Sequence, residues 1–307
     1  MNLRVILKAE SVPSKCYGES SKATEGWIQI DCPFCYPQTR PGKFHMGLNP
    51  TSMAANCWKC GKRSILQTLS LILKKDRRTL WELLDRKTLT RTKEQYTPKE
   101  LKLPGLITDH NKNVLEYLRG RYGHDRGQEI MERFELGFFR KHWRVFVPIY
   151  NYDGEFVSYT TRAIGNIEPR YVSASRHQEI FPHKNTLYGE WLIKDSPYCV
   201  IVEGPTDVWN LQPLLPAIAT FGVSYTPMQV LSLLKYDTVV ICYDADMPGR
   251  NASEKLAIEL SVLDENINVY QVFLDDGDAG SLFQSKLKDF AEEVQNTAKL
   301  KDCVENL

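Results

Sequence analysis

Three apolar runs in the last third of the chain constrain its fold more than any other feature: CVIV at 199–202, TVVICY at 238–243 and NVYQVFL at 268–274. Between the first two lies TPMQVLSLLK, and between the last two ASEKLAIELSVL, both with helical spacing. Apolar runs this short, alternating with helix patterns, predict parallel strands joined by crossover helices. Each run also leads into carboxylates. Glu203 and Asp207 follow the first, Asp244 and Asp246 the second, and Asp275, Asp276 and Asp278 the third. The C-terminal ends of strands in an open parallel sheet border one crevice, so this pattern brings the acids together. Crowded carboxylates repel and raise one another's pKa, and a divalent cation removes that penalty. Hard oxygen ligands select Mg²⁺ or Mn²⁺, which hold phosphates and serve phosphoryl or nucleotidyl transfer. Acids that merely end strands or cap helices would explain one cluster; they explain three in succession poorly.

Upstream the pattern differs. From Pro104 two helical stretches, NKNVLEYLRGRYG and RGQEIMERFEL, lead into the alternating runs RVFVPIY and EFVSYTTRA, with an Asp153-Gly154 turn between them. Residues 87–103 have few apolar positions and no period, which predicts a flexible linker. Ahead of it, SILQTLSLILKK has the apolar spacing of an amphipathic helix. The expected domains are therefore 1–86, a linker at 87–103, 104–197, 198–284 and a helical tail at 285–307.

Four of the eight cysteines form two pairs, CPFC at Cys32 and Cys35 and CWKCG at Cys57 and Cys60. Two such knuckles present four thiolates to one tetrahedral ion, and structural Zn²⁺ is the usual occupant. A region this short needs the staple to fold, and the segment between the pairs suits the small sheet of a zinc ribbon. Trp27, Phe34, Trp58, Arg40, Lys43, Lys59, Lys62 and Arg63 surround the knuckles, a mixture fit to stack bases and neutralise phosphates. A nucleic-acid surface and a plain folding module both remain open on this evidence. With four cysteines present, His45 reads as a strand residue, within reach of any nucleic acid on this face, rather than a ligand. Cys199 and Cys242 sit inside apolar runs as small buried hydrophobes. One metal site with isolated thiols elsewhere suits a reducing compartment better than a disulfide framework.

Hydrophobic content is 42%, charged content 25% and net charge +1. No run approaches bilayer length and the N-terminus lacks a signal-peptide core, so a soluble cytoplasmic protein is expected. A polyanion partner would have to meet a local basic patch rather than a global field. Most Arg and Lys lie in the first 170 residues, and the last hundred are richer in acids. Gly42-Lys43 and Gly61-Lys62 lack the rest of a Walker A loop.

The E-G-x-x-D of Glu203 to Asp207, followed by D-x-D at Asp244 to Asp246, resembles the Toprim signature of primases, topoisomerases and some nucleases. FGVSYTPMQVLSLLK and DADMPGR resemble the intervening loop and helix and the second acidic segment of bacterial-type DNA primases. RVFVPIYNYDGEFVSYTTRA, PRYVSAS and HKNTLYG resemble the basic half of the primase polymerase core, and EYLRGRYG to FELGFF its helical lead-in. With a zinc ribbon in front, the resemblance to primases of the bacterial and phage type covers nearly the whole chain. There are departures. Four cysteines replace one His and three Cys, a pattern more typical of phage members. Arg170 stands at the Lys of Pro-Lys-Tyr. DDGDAGSL lacks the second Asp that often follows, so Asp278 matches its motif less fully. Only a short tail stands where relatives carry a helicase or a helicase-binding domain.

The resemblance implies an α/β architecture: an N-terminal zinc ribbon, then an α+β basic subdomain joined to a parallel-sheet Toprim domain. It implies a DNA-dependent RNA polymerase that makes short RNA primers on single-stranded DNA for replication. In that scheme Asp244 and Asp246 ligate a Mg²⁺ or Mn²⁺ that bridges the incoming triphosphate, and Asp278 completes the site. Glu203 acts in metal binding or proton transfer at the 3′-hydroxyl, and Asp207 supports the loop or a second ion. Arg144, Arg162, Arg170, Lys184 and Arg250 line the nucleotide and RNA–DNA groove. Trp58, Lys59, His45 and Arg63 meet template. Partners would be single-stranded DNA, ribonucleoside triphosphates, the RNA–DNA hybrid and a separate replicative helicase, with no membrane, in the host cytoplasm if phage-encoded. A non-catalytic recombination mediator also joins a four-cysteine site to a Toprim fold, but lacks the basic subdomain between them. A Toprim nuclease or topoisomerase is a third reading, and a topoisomerase needs a strand-passage region for which 307 residues leave no room.

Overall fold

The computed structural model describes residues 3–19, 23–35, 41–50, 54–75, 79–80, 101, 103, 107–108, 112–212, 214–282 and 284–299. The chain forms two compact units, Met1–Tyr96 with Ile258–Ile267, and Thr97–Ala257 with Asn268–Leu307. Of the expected linker only Leu101 and Leu103 are among the described residues, and Arg40 lies outside them.

The first unit opens with helix α1 (Leu3–Ala9), which buries Leu3, Ile6 and Leu7. Strands β1 (Ser14–Lys15), β2 (Ile28–Ile30), β3 (Met46–Asn49), β4 (Ala54–Cys57) and β5 (Gly61–Ser64) follow, each antiparallel to the next. Alternation sends Met46, Leu48, Ala55 and Cys57 inward, and Met46 stands opposite Cys57 in the register. Helix α2 (Ile65–Leu73) continues directly from β5 and buries Ile65, Leu66, Leu69 and Leu73, the stripe read from its spacing.

In the second unit helices α3 (Lys112–Tyr122) and α4 (His124–Arg133) accompany an antiparallel sheet. Its strands are β6 (Ile107–Thr108), β7 (Gly137–Phe139), β8 (Arg144–Tyr150), β9 (Phe156–Ala163) and β10 (Tyr171–Ser173), in the order β10-β9-β8-β7-β6. The β8–β9 hairpin runs through the expected Asp153-Gly154 turn, where Gly154 takes φ +88°.

The second sheet is wholly parallel, β12-β11-β13-β14, with β11 (Tyr198–Val202), β12 (Ala217–Ala219), β13 (Thr238–Ile241) and β14 (Asn268–Gln271). Helices α5 (Pro205–Leu211), α6 (Pro227–Leu233) and α7 (Met247–Leu263) connect the strands in turn. Three strands were expected and a fourth is present. Ala-Ile-Ala is too short to announce β12, which pairs with β11 at Val200–Ala217 and Val202–Ala219. The chain leaves β11 toward β12 and leaves β13 toward β14, so the topological switch falls between β11 and β13, the place where ligands enter such sheets.

The expected C-terminal tail is helix α8 (Gln284–Lys299). Leu287, Phe290, Ala291 and Val294, at helical spacing, sink into one core shared with Val114 and Leu118 of α3, Val145 and Val147 of β8, Val200 and Val202 of β11, and Trp209 of α5. The Trp209 indole N–H donates to the Tyr188 hydroxyl at 2.8 Å, which satisfies its one polar atom inside that core. A single apolar core thus runs under both sheets of this unit.

Candidate active site and metal centre

Cys32 and Cys35 lie in the turn after β2, Cys57 closes β4, and Cys60 precedes β5. Their four sulfurs lie within 4.8 Å of one another, with Cys32–Cys60 at 3.6 Å and Cys35–Cys57 at 3.7 Å. A tetrahedral ion with bonds of about 2.3 Å to sulfur has edges of about 3.8 Å, so the set fits such an ion. Gly61 takes φ +85°, the left-handed turn its place after the second knuckle requires. Desolvation raises the Cys32 and Cys35 thiols. It opposes Cys57 as well, yet the backbone N–H groups of Cys60 and Lys59 hold that thiol down to about 7.

Around the knuckles the side chains divide. Trp58 is 62% exposed, and Lys43, Lys59, Lys62 and Arg63 are exposed with it, Arg63 lying 5.2 Å from the Phe34 ring centre. Trp27 instead packs on the backbone: a Cβ at Gly47 would stand 2.8 Å from its ring. His45 is buried just ahead of β3, its carbonyl accepting from the Trp58 N–H, and neither ring nitrogen has a hydrogen-bond partner among the described residues. It is not offered on the surface as a template contact would be.

The acids gather at the switch point. Glu203 follows β11 directly and accepts from the Asp244 N–H at 3.1 Å, which joins the ends of β11 and β13. Burial, then the nearby Asp244 charge, pushes the Glu203 carboxyl up to about 7. Burial, then Asp278 and Asp246, raises Asp244 to about 6. Asp246 caps α7, accepting from the Gly249 N–H at 2.8 Å. Gly249 is needed where the helix start meets the strand end, since a Cβ there would stand 2.4 Å from the Asp244 carbonyl and 2.9 Å from Glu203 Oε1.

Asp207 has another place. Gly204 and Pro205 start α5, and Asp207 at its third position accepts the Gly204 N–H at 2.8 Å on Oδ2. Its Oδ1 accepts the Gly280 N–H at 2.9 Å from the loop that bears Asp278. Only 4% exposed, with Asp278 and Asp244 beside it, it is pushed up to about 7, chiefly by burial. Both oxygens hold backbone, so Asp207 ties the third acidic loop to the first. Among the described residues only the cysteines form a set of three or more ligands close enough to share one ion. The acids can still serve Mg²⁺, which keeps several waters and needs one or two carboxylates plus substrate phosphates.

Of the basics expected to line a groove, two are buried. Arg144, 5% exposed, gives its guanidinium to the carbonyls of Pro169 at 2.7 Å and Arg170 at 3.3 Å. Arg162, 7% exposed, donates to the hydroxyls of Tyr117 at 2.6 Å and Tyr171 at 2.5 Å. These two arginines shape the wall rather than offer charge to solvent. Lys184 donates to the Phe221 carbonyl, and burial lowers its pKa. Arg170 and Arg250 are exposed, Arg250 with its Nε on the Ala245 carbonyl at 2.9 Å and its head 5.2 Å from the Phe273 ring centre.

Sequence reading missed the tyrosines that fix this wall. Tyr122 donates to the Thr206 carbonyl at 3.0 Å, and the Tyr171 hydroxyl lies 3.4 Å from Thr206 Oγ1, so both pin the start of α5. Arg121 was missed as well, with Nη2 3.7 Å from Asp278 Oδ1. Tyr117 and Arg121 stand four apart in EYLRGRYG, a spacing that places them on one helix face and could have flagged both.

An open four-stranded parallel sheet with acids at its switch point is the Toprim arrangement, and residues 200–279 match the family model described as Toprim-like. Over part of its length the chain is similar to bacterial DNA primases. It is 31% identical over 183 residues to DNA primase of Thermotoga maritima, covering 57% of this chain and 30% of the relative. It is 34% identical over 140 residues to DNA primase of Geobacillus stearothermophilus, covering 44% and 23%. The matches therefore span less than a third of the relatives' own length. Among solved structures, a DnaG primase catalytic domain bound to single-stranded DNA superposes with a TM-score of 0.51 at 23% identity, covering 60% of this chain and 71% of that one. A DnaG catalytic core gives 0.50 at 23%, covering 59% and 72%. These two superpositions show the fold of the part of the chain they cover. Among the described residues no helix is long and apolar enough to cross a membrane.

Proposed function

We propose that the chain is a primer-synthesising DNA primase, joining ribonucleotides on a single-stranded DNA template by metal-dependent nucleotidyl transfer. The observation that carries the reading is the junction of Glu203 and Asp244 at the switch point, with both carboxyls raised by burial and by the charge of neighbouring acids. A cluster poised in that way gains most from a divalent cation and a triphosphate. Asp244 and Asp246 would hold Mg²⁺ or Mn²⁺, with Asp278 beside them, and the ion would neutralise charge developing on the phosphates. Glu203, raised to about 7, is suited to accept the proton of the attacking 3′-hydroxyl at its carboxylate. Asp207 holds the Gly280 loop, and Thr206 anchors α5 to Tyr122 of α3 and Tyr171 of the antiparallel sheet. The four cysteines hold Zn²⁺, and Trp58, Lys59 and Arg63 give the ribbon an exposed face for template. Exposed Arg170 and Arg250 supply positive charge for phosphates, and a separate helicase would deliver template.

The test is primer synthesis from four ribonucleotides on single-stranded DNA by wild type and Asp244→Asn. Wild type should make short RNAs. The variant should lose several orders of magnitude in rate while binding template as before, because the charge that holds the ion is gone. Wild-type rates in Asp244→Asn would refute the enzyme reading, and the absence of any primers from wild type would favour a DNA-holding mediator.

A further inference from the structure

Arg121 is an unassigned cation beside the third acidic loop. It sits near the end of α3, half-buried, with Nη2 3.7 Å from Asp278 Oδ1. That separation is too long for a hydrogen bond, so the attraction is Coulombic. Asp278 Oδ1 is itself buried and has no hydrogen-bond partner among the described residues. The arginine is aimed by its neighbours: Nε donates to the Tyr122 hydroxyl at 3.1 Å, and that hydroxyl donates to the Thr206 carbonyl at 3.0 Å. It also closes round the third acidic loop. A Cβ at Gly280 would stand 3.2 Å from Arg121 Nη2 and 2.6 Å from Asp207 Oδ1, so the guanidinium, the buried carboxylate and the loop backbone leave no room for a side chain.

We infer that Arg121 is the built-in counter-ion of the acidic centre, a positioning residue that holds Asp278 by charge alone and competes with the divalent cation for it. This rests on the proposal that the acids bind such a cation. A fixed positive charge beside the centre offsets part of the repulsion among Glu203, Asp207, Asp244 and Asp278, and weakens the field that draws in a metal ion. Because no hydrogen bond ties the guanidinium to Asp278, the carboxylate can turn to a metal ion without breaking one. Removing the charge should therefore tighten cation binding, the opposite of what loss of a merely structural residue does. One unit charge a few ångströms away, in partly solvated surroundings, changes the affinity for a dication roughly tenfold.

The experiment is Mn²⁺ binding followed by electron paramagnetic resonance on the full chain with its cysteine site loaded and no nucleotide present. Wild type, Arg121→Gln, Arg121→Met, Arg121→Lys and Asp244→Asn are compared. Arg121→Gln and Arg121→Met, which share only the loss of charge, should each bind Mn²⁺ about tenfold tighter. Arg121→Lys should stay close to wild type. Unchanged or weaker binding in both neutral variants overturns the inference while leaving the metal reading intact. If wild type binds no Mn²⁺ that Asp244→Asn abolishes, the metal reading fails and the inference falls with it.

Discussion

Replacing Asp207 with Asn sets two sizeable effects against each other. In the folded chain this carboxyl is raised from 3.8 to about 7, chiefly by burial. That displacement of about three pH units corresponds to roughly 4 kcal/mol opposing the folded state when the group is ionised. The sign follows from linkage: a raised acid destabilises fully above its folded pKa, and the penalty shrinks as pH falls from there toward the unfolded value. Asn removes this penalty. It also has one oxygen where two are used, so either the Gly204 or the Gly280 N–H loses its acceptor. A lost hydrogen bond to a charged group, with a buried donor left bare, costs about 2–4 kcal/mol. At pH 8 the two effects nearly cancel. At pH 5.5 wild type has shed about 2 kcal/mol of its penalty, while the variant has gained nothing. Denaturant unfolding of wild type and Asp207→Asn at the two pH values, without added divalent cation, should show the variant about 2 kcal/mol worse off at pH 5.5 than at pH 8, relative to wild type. Added Mg²⁺ should flatten the wild-type slope, since a cation offsets the Asp244 and Asp278 charges that face Asp207. A stability difference independent of pH would refute the idea that burial and repulsion hold this carboxyl up.

Two further outcomes follow from the geometry. Cys57→Ser should release the bound zinc in elemental analysis and expose β3 and β4 to hydrogen exchange, because the small core of Ile28, Ile30, Met46, Leu48 and Ala55 cannot hold the ribbon alone. Zinc retained at full occupancy would show that the four sulfurs are not the ligand set. Gly249→Ala places a methyl 2.4 Å from the Asp244 carbonyl, so α7 must shift; stability should drop by about 1–3 kcal/mol and primer synthesis by more than tenfold, with wild-type activity as the contrary result.

What could be read from the sequence was what depends on local spacing. The two C-x-x-C pairs bring four sulfurs together because metal geometry acts over a few residues. The apolar runs at β11 and β13 become central parallel strands because no other arrangement buries Cys199 to Val202 and Thr238 to Ile241 on both faces. Strand β12 escaped because three residues between Pro216 and Thr220 carry no period, and its pairing is decided by β11. The direction of a long side chain was equally hidden. Arg144 and Arg162 stand at motif positions, yet whether each guanidinium faces solvent depends on its partners: the carbonyls of Pro169 and Arg170 for Arg144, and the hydroxyls of Tyr117 and Tyr171 for Arg162. The burial of His45, just ahead of β3 with its carbonyl on the Trp58 N–H, was hidden as well. Helical spacing could place Arg121 on a face with Tyr117, but not name the partners of Arg121 and Tyr122, Asp278 and Thr206, more than eighty positions away.

The shared core beneath the two sheets of the second unit has a mechanical consequence. Val145 and Val147 of the antiparallel sheet, Val200 and Val202 of the parallel one, and Trp209 between them form a continuous apolar body. A hinge needs a seam with few apolar contacts, and none lies between residues 197 and 198. The wall of tyrosines and the floor of acids therefore sit on one continuous apolar body. The same continuity makes this unit indivisible as material: a cut between the two sheets would bare a face of valines and tryptophan to water, and both halves would aggregate rather than fold.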